Sequence, residues 1–353
     1  MKLGTFAGGF GKKHSVNMEM IHLAEKLGYD SVWTAEAYGN DAVTTATWIL
    51  ATATWILAQT ETIKVGTSIM QMPARTPAMA AMTAMSLDHL SGGRFILGLG
   101  PSGPQVSEGW HGVPYGKPLT RTKEYVSIVR KIIAREAPLV HQGEHYTIPA
   151  TGEGTTGQGK ALKSILHGNP IPIYTASISP NGLRCSAEVA DGVFPVFMNP
   201  ETYDTILAPY LDEGFAKAGG GKGLDDFNIC PSVSVIITDD PEKAKFPIKM
   251  QLALYIGGMG SRKKNFYNDY CKRLGYEDAA VEIQNLFLDG KKMEAMAAVP
   301  DALIDEVHLV GSEGFIRDRL SAWKEAGKQR HVDTMLIGTT QPEAIELLAK
   351  EIL

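Results

Sequence analysis

The sequence has few cysteines and lacks any grouping of metal-binding side chains. Its three cysteines, Cys185, Cys230 and Cys271, are far apart and odd in number, so we expect free thiols in a reducing cytoplasm. No His, Cys, Asp or Glu residues recur at metal-ligand spacing, and neither a P-loop nor a Ser/His/Asp arrangement is present. These absences argue against a metal centre, a nucleoside-triphosphate hydrolase and a serine hydrolase.

Long apolar runs and clusters of basic charge are also missing. No apolar run is long enough to cross a bilayer, and the first residues, Met1 to Phe6, lead into a strand pattern without a signal-peptide core. The chain carries 34 Lys and Arg against 39 Asp and Glu, a net charge of −5, and its basic residues are scattered. We therefore expect a cytoplasmic protein with a small-molecule substrate and no nucleic-acid or membrane partner.

Strand-like and helix-like patterns, by contrast, alternate along most of the chain. The eight predicted strands cover residues 2–7, 30–34, 63–69, 94–100, 171–176, 192–197, 227–238 and 331–338. The predicted helices cover residues 15–27, 41–58, 77–90, 119–135, 181–190, 200–218, 315–326 and 342–352. Such alternation predicts an α/β fold, a (β/α)8 TIM barrel formed by one domain over residues 1–353. An open doubly wound sheet is the alternative.

Two segments interrupt this alternation and are interpreted as insertions. Residues 136–170 contain a predicted hairpin at 139–148 and a glycine-rich stretch at 151–160, which we interpret as a mobile loop of the kind that closes over a site. Residues 241–300 are largely helical in pattern, without a strand. Together they enlarge the barrel beyond its usual ~250 residues.

The predicted helix at 41–58 contains an unbroken repeat of seven residues. Thr45 to Ala51 is repeated without change as Thr52 to Ala58. Seven residues return a helix to within ~20° of its starting phase, so the insertion keeps the buried face in register. We interpret it as a neutral duplication; the alternative is that it moves the loop after the second strand outward by roughly 10 Å.

The stretch from Arg94 to Gln105 is a buried-looking strand that runs into a glycine- and proline-rich loop. Gly98, Gly100 and Gly103 expose bare backbone, which can approach a phosphate or a flat ring. Their spacing matches the dinucleotide fingerprint by letter. However, prolines interrupt the motif and no acidic residue on a following strand completes it, so a ligand loop and a plain strand exit both remain open.

The carboxyl ends of the strands form the active face of a TIM barrel. On this chain that face would carry residues 36 and 38, 68–72, 100–105, 176–181 and 197–199. Glycines, hydroxyls and apolar side chains dominate there, and charges are few. A flat, uncharged ring held by backbone groups suits this lining better than a metal or a highly charged substrate.

Several of these segments resemble those of one enzyme family. They are residues 30–37, 65–69, 91–100, 102–105, 109–114, 172–176, 190–193 and 305–311. With them the chain resembles the bacterial luciferase-like monooxygenase superfamily over nearly its whole length. It is most similar to the branch that uses the deazaflavin coenzyme F420, which includes methylenetetrahydromethanopterin reductases and glucose-6-phosphate dehydrogenases.

The resemblance implies a coenzyme site at the strand ends, for F420 or alternatively FMN, and a non-prolyl cis peptide at Ser68-Ile69. The residues it assigns to the coenzyme are Thr67, Ser68, Ile69, Gly98, Gly100, Pro101, Ser102, Gly103, Ala176, Ser177 and Ile178. Lys12, Lys13 and Lys160 are candidates for its acidic tail, with a solvated surface lysine as the alternative for each. The resemblance also implies a homodimer that pairs through helices next to the second and third strands.

The chain departs from that family at the residues that move protons. Gly103 and Ala37 stand where the related dehydrogenases have an acidic residue and a histidine, so Glu36 remains as the candidate catalytic carboxylate. The further acid-base candidates are Glu108, His111 and His14, and the candidate substrate-binding residues are Trp110, His111 and Tyr115. The resemblance implies an F420-dependent oxidoreductase that transfers a hydride to or from an unknown small organic substrate. An FMN-dependent monooxygenase and a non-catalytic coenzyme-binding protein are the alternatives.

Overall fold

A computed structural model describes residues 1–8, 15–43 and 60–353. Its strands are β1 (Lys2–Phe6), β2 (Ser31–Thr34), β3 (Lys64–Thr67), β4 (Met70–Gln71), β5 (Phe95–Gly100), β6 (His141–Gln142), β7 (Thr147–Ile148), β8 (Ile173–Ala176), β9 (Gly192–Phe194), β10 (Asn228–Ile229), β11 (Ser232–Ile237), β12 (Leu309–Gly311) and β13 (Thr334–Gly338). The repeated heptad, Lys12, Lys13 and His14 lie outside the described residues.

The parallel strands form a closed ring. β1 pairs with β2 and β13, and the sheet continues from β2 through β3, β5 and β8 to β9. β10 pairs with β9, while β11 pairs with β13. β10 and β11 are two halves of one stretch of chain separated only by Cys230 and Pro231, so this stretch lies between the two ends of the sheet. The eight-stranded barrel predicted from the alternation is therefore confirmed.

Helices follow the strands on the outside of the ring. Their bounds are Met18–Lys26, Pro77–Ser91, Pro104–Ser107, Pro118–Ala134, Pro180–Val189, Tyr203–Ile206, Ala208–Ala218, Pro241–Ala253, Phe266–Arg273, Glu277–Leu288, Lys292–Ala297, Asp301–Val307, Glu313–Lys328 and Pro342–Ile352. A π-helical turn covers Leu254–Gly258, and short 3-10 turns cover Met72–Ala74, Pro200–Thr202 and Leu224–Asp226. No helix among the described residues is long and apolar enough to cross a membrane.

Two predicted elements are wrong in detail, and proline explains both. The single helix predicted at 200–218 is a 3-10 turn followed by two helices, because Pro209 has no N–H to continue the first helix. The single strand predicted at 227–238 is divided because Pro231 cannot donate to a sheet ladder. The structure also adds β12, which pairs with β11 beyond the ring and was not predicted.

The first insertion is a hairpin held by one carboxylate. β6 and β7 are antiparallel, as predicted, and the Glu124 side chain accepts hydrogen bonds from the backbone N–H groups of Glu144, His145 and Tyr146 at 2.8–3.0 Å. Burial opposes ionisation of Glu124, but these hydrogen bonds outweigh it and lower the pKa of the carboxyl group. Residues 151–160 beyond the hairpin are exposed and contain neither strand nor helix.

A single large aromatic side chain fills the middle of the ring. Trp33 on β2 is 1% exposed and packs with Ile96, Tyr174 and Phe194 from the other side of the barrel. The neighbouring strand β3 carries Gly66, where an added Cβ would collide with the Trp33 ring. The indole N–H is satisfied by a 2.9 Å hydrogen bond within the strand. The barrel interior is thus a packed core and not a channel.

A buried histidine lies at the edge of the barrel. His308, just before β12, is fully buried; its Nδ1 accepts a 3.1 Å hydrogen bond from the N–H of Ser234, and its ring meets Phe197 edge-on at 6.1 Å. Nε2 has no hydrogen-bond partner among the described residues. Because burial disfavours the charged imidazolium, the pKa of His308 falls to about 4.

Acid should therefore destabilise the fold through His308. The folded-state pKa is depressed to about 4 from its usual 6.5, so this contribution to stability is complete above pH 6.5 and is lost as the pH falls toward 4. Through this one group, the free energy of unfolding should fall by about 2 kcal/mol between pH 7.5 and pH 5, as measured by urea unfolding.

The control variant is His308→Asn, because asparagine keeps an acceptor for the Ser234 N–H and does not titrate. It should lower the unfolding free energy at pH 7.5 and flatten its pH dependence between pH 7.5 and 5. An unchanged pH dependence in the variant would contradict the assignment.

Candidate functional site

The carboxyl ends of the strands bring most of the predicted site residues to one face. β4 lies against the end of β5, with Gln71 opposite Gly100. The loop after β5 leaves from this point, and the loop after β8 leaves from the neighbouring strand. The residues assigned to the coenzyme are therefore close together along the β3–β5–β8 edge of the barrel mouth.

The backbone between β3 and β4 has the geometry that the resemblance implies. The peptide bond between Ser68 and Ile69 is cis. The Ser68 N–H donates to the carbonyl of Thr34 at 2.6 Å, and the buried Thr67 hydroxyl donates to the carbonyl of Gly98 at 2.7 Å. The Thr67 side chain is therefore used within the sheet, and contact with a coenzyme would come through the backbone and the residues that follow.

Two of the three glycines in the strand-to-loop stretch are required by their neighbours. A Cβ on Gly98 would collide with the Thr67 carbonyl, and a Cβ on Gly100 would lie 2.8 Å from the Ile69 side chain. Gly103 is different, since an added Cβ would meet only the Gln105 side chain, at 3.0 Å. Close packing of β3 against β5 thus explains the first two glycines, and their contact with a coenzyme stays a prediction.

The loop after β5 exposes small residues to the mouth of the barrel. Pro101, Ser102 and Gly103 are half-buried, and Ser102 has a positive φ of 58°, a conformation that non-glycine residues adopt uncommonly. Gly103 has extended backbone and begins the short helix Pro104–Ser107. A flat ligand could approach this backbone without meeting a large side chain.

Two hydrogen bonds hold the loop after β8 in place. Ser179 caps the helix Pro180–Val189 through a 3.2 Å hydrogen bond from the N–H of Gly182. On the other side, the guanidinium of Arg273 donates to the carbonyl of Ile178. Arg273 belongs to the helical insertion, and sequence reasoning did not identify it. It brings a positive charge to the loop that contains Ser177 and Ile178.

Glu36, the predicted catalytic carboxylate, is fully occupied by partners within the protein. Its Oε1 accepts from the N–H of Ala42 at 3.3 Å and from Arg75 at 2.8 Å. Its Oε2 accepts from the N–H of Gln71 at 2.7 Å and from Arg75 at 2.8 Å. A carboxylate offers about four acceptor positions, so all are filled. This geometry suits a carboxylate that joins loops, and no free position is left for a substrate proton.

Arg75, the cation paired with Glu36, also has several partners. Arg75 is bidentate to Glu36 and also bonds to Asp41. Burial alone would lower the pKa of Arg75, but the hydrogen bond to Glu36 and the two nearby carboxylates outweigh it and raise the pKa. The guanidinium therefore stays charged, and the pair ties the loop after β2 to the turn after β4.

Gln71 extends this network to a predicted substrate-binding residue. The Gln71 side chain is 2% exposed; its amide nitrogen donates to the carbonyl of Glu36 at 3.4 Å, and its amide oxygen lies 2.7 Å from Nε2 of His111. The imidazole of His111 is therefore fixed at the mouth, beside the end of β5. Gln71 lies in the segment 68–72 that was predicted for this face, but no role was predicted for it, because that role depends on this tertiary contact.

The other two predicted substrate-binding residues differ in their surroundings. Trp110 is 65% exposed. Tyr115 is half-buried, its backbone N–H donates to Glu108 at 3.0 Å, and burial raises the pKa of its hydroxyl. Tyr267 belongs to the helical insertion. Burial raises the pKa of its hydroxyl most, and the nearby hydroxyls of Tyr255 and Tyr115 raise it further. Tyr115 therefore lies beside this insertion.

An aromatic wall from this insertion covers the far side of the mouth. The rings of Tyr255 and Tyr267 meet edge-on at 4.7 Å, and both pack against Phe197, which follows β9, at 5.5 and 6.4 Å. Sequence reasoning identified the insertion but assigned none of its residues to the site. Their helical spacing gives no signal that would distinguish a wall residue from a core residue.

Within residues 1–8, 15–43 and 60–353, this face offers no set of metal ligands. Among the residues that the structure describes, no group of three or more His, Cys, Asp or Glu side chains could hold one. Lys160, a candidate for an acidic tail, is exposed. The arrangement offers backbone, hydroxyl and aromatic groups, together with one half-buried imidazole.

Comparison with known proteins agrees with this geometry. The family model described as luciferase-like monooxygenase matches residues 2–330. The chain belongs to the luciferase-like monooxygenase family. The match includes all of the ring except β13, together with both insertions.

The relatives of this luciferase-like protein include enzymes named for F420. A Mycobacterium tuberculosis protein provisionally named a coenzyme F420-dependent oxidoreductase is 44% identical over 99% of this chain and 98% of its own length. The 5,10-methylenetetrahydromethanopterin reductase of Archaeoglobus fulgidus is 27% identical over 94% of this chain and 93% of its own. The solved F420-dependent tetrahydromethanopterin reductase of Methanopyrus kandleri superposes with a TM-score of 0.74 at 23% identity, covering 99% and 97% of the two chains.

Removal of Arg75 should destabilise this luciferase-like barrel strongly. The side chains of Glu36 and Arg75 are 7% and 16% exposed, so Arg75→Met leaves a buried carboxylate without its cation. We expect a loss of about 3 kcal/mol in the free energy of unfolding, measured by urea denaturation at pH 7. The matched control is Arg262→Met, whose ion pair with Asp289 is exposed on both sides and should be worth under about 1 kcal/mol. Equal losses in the two variants would contradict this account.

Proposed function

We propose that this chain is an oxidoreductase that uses coenzyme F420 to transfer a hydride to or from a small organic substrate. The observation that supports this most directly is the 44% identity, over nearly the full length, with a protein named for F420. The barrel mouth is consistent with it, because the buried carboxylate beside the ends of β2 and β4, Glu36, is paired with Arg75. An uncharged ring can therefore lie over the strand ends without facing an unpaired charge.

The described residues fit such a ring and its anionic chain. We assign the ring to the backbone of Ser68 and Ile69, and to the loop from Pro101 to Gly103, where side chains are small. We assign the start of the phosphate-bearing chain to the loop from Ala176 to Ile178, beside the Arg273 cation. The protein would orient ring and substrate and exclude water, and the bound coenzyme supplies the hydride chemistry.

The cysteines support a proposal about the compartment in which the protein works. All three cysteines are free and buried, and burial raises the pKa of the Cys185 thiol to about 11, which keeps it protonated and inert. We propose that the protein works in a reducing cytoplasm as one domain over residues 1–353. FMN remains the second candidate coenzyme, because the matching family is described as a monooxygenase family.

Coenzyme preference can be measured by titrating the purified protein with oxidised F420 and, separately, with FMN while following fluorescence. We expect micromolar binding of F420 and binding of FMN at least tenfold weaker. Gly103→Phe should weaken F420 binding at least tenfold, because the added ring projects from the small-residue loop after β5. Tighter binding of FMN would move the protein to the flavin enzymes, and binding of neither would overturn the proposal.

The control variant is Gly223→Phe. Gly223 also has extended backbone, and an added Cβ there meets nothing within 4 Å, so the same substitution outside the mouth should leave F420 affinity within twofold. An equal effect of both substitutions would show that Gly103 is not in the coenzyme site.

We also propose that the chain forms the homodimer that the resemblance implies. The helix Pro77–Ser91 follows the third strand of the ring, and its outer face carries Met79, Met82 and Leu90, each more than half exposed. Spacings of three and eight residues place them in one stripe along the helix. A second copy of this chain is the occupant that we assign to this stripe.

Sedimentation should give twice the 38.2 kDa mass of one chain at micromolar concentration. Met82→Lys should shift the equilibrium toward monomer, because a charge would be buried without a partner. The control is Met293→Lys, since Met293 is also more than half exposed but lies on the helical insertion. A monomeric wild-type protein would refute the dimer.

A further inference from the structure

We propose that His111 is the proton-transferring residue of this enzyme and that Gln71 is the residue that positions it. The inference rests on the proposed F420-dependent function and names the group that moves the substrate proton. Its basis is the 2.7 Å contact between Nε2 of His111 and the side-chain oxygen of Gln71 at the barrel mouth. Glu36 does not fill this role, since its four acceptor positions are occupied.

The network fixes the orientation of the Gln71 amide. The carbonyl of Glu36 can only accept a hydrogen bond, so the amide nitrogen of Gln71 must face it. The backbone N–H of Gln71 is held in turn by the Glu36 carboxylate at 2.7 Å. The amide oxygen of Gln71 is thereby directed to the imidazole, and it too can only accept.

This orientation selects the tautomer of His111. Because the Gln71 oxygen accepts, Nε2 must carry the hydrogen. In the neutral ring Nδ1 then bears a lone pair, and the hydrogen bond that the His111 side chain makes within the described residues is the one from Nε2 to Gln71. Nε2 can donate to Gln71 in both the neutral and the charged ring, so Nδ1 can gain and lose a proton without a change in the anchoring contact.

The backbone of His111 is held beside the mouth, and charged groups lie on the adjoining elements. His111 is half-buried, and its backbone N–H is held by the carbonyl of Val106 at 3.0 Å. The charged groups on the adjoining elements include Glu108, which accepts from the Tyr115 backbone, Arg121, which lies near the Tyr115 hydroxyl, and the Glu36–Arg75 pair behind Gln71. Histidine is the side chain whose ordinary charge change falls between pH 5 and 8.

The chemistry that this base serves is the oxidation of a carbon that bears an O–H or N–H group. Bound F420 would accept the hydride of the substrate C–H bond, and as that bond breaks the O–H or N–H proton would pass to Nδ1 of His111. The electron pair of the broken O–H or N–H bond forms the new C=O or C=N double bond. The imidazolium then releases the proton to water, and reduction of the product reverses each transfer.

The tautomer can be read by long-range ¹H–¹⁵N NMR of the full-length protein labelled in histidine, with His111→Asn to assign the signal. At pH 8 we expect a protonated Nε2 and an unprotonated Nδ1 for His111. Gln71→Met should remove this preference and give a mixture of tautomers, which a merely structural role of Gln71 would not produce. A protonated Nδ1 in the wild-type protein at pH 8 would overturn the inference.

Carbethoxylation with diethyl pyrocarbonate tests the position of the ring, since this reagent attacks an unprotonated imidazole nitrogen. We expect saturating F420 to slow modification of His111 at least tenfold, as measured by peptide mass spectrometry. The exposed His167 in the same samples is the control and should react at an unchanged rate. If F420 binds by fluorescence but fails to protect His111, this inference alone is wrong; if F420 does not bind at all, the proposed function fails first.

Discussion

The Trp33 side chain restricts where a ligand can bind in this barrel. Its ring occupies the space that the eight strands enclose, and the inner faces of the strands on either side carry Gly4 and Gly66, where a side chain would meet residues of the barrel core. A ring so filled cannot admit a substrate between its strands. Within the described residues the rim of the sheet is left for a ligand, which is where we place the site, among the loops at the carboxyl ends of the strands.

At that rim the decisive interaction is the ion pair between Glu36 and Arg75. Its two charges cancel, so the mouth stays suited to an uncharged ring although it contains ionised groups. Hydrogen bonds continue from this pair through Gln71 to His111. One buried pair therefore fixes both the turn after β4 and the orientation of an imidazole. Within this network Glu36 and Arg75 hold the loops together, whereas the proton transfer that we propose is assigned to His111.

The sequence was sufficient to predict the ring, because strand and helix periodicity is local information. Pro209 and Pro231 were also visible, and a stricter use of their missing N–H groups would have predicted both breaks. The role of Glu36 could not be predicted, because its partner Arg75 is 39 residues away and the contact depends on the closure of the barrel. Tyr255 was missed for a related reason, since nothing local distinguishes an insertion residue that meets Phe197 from one in its own helical core.

The mouth is built from two parts with separate origins in the chain. The barrel strands and their short loops form the surface on which we place the coenzyme, whereas Tyr255 and Tyr267 come from the segment inserted between β11 and β12. Substitutions in that segment can reshape the cavity without disturbing the ring closure or the Glu36–Arg75 pair. Changes at Tyr255 and Tyr267 can therefore alter which substrate fits, whereas a change at Arg273 of the same insertion would also reach the loop to which we assign the coenzyme chain.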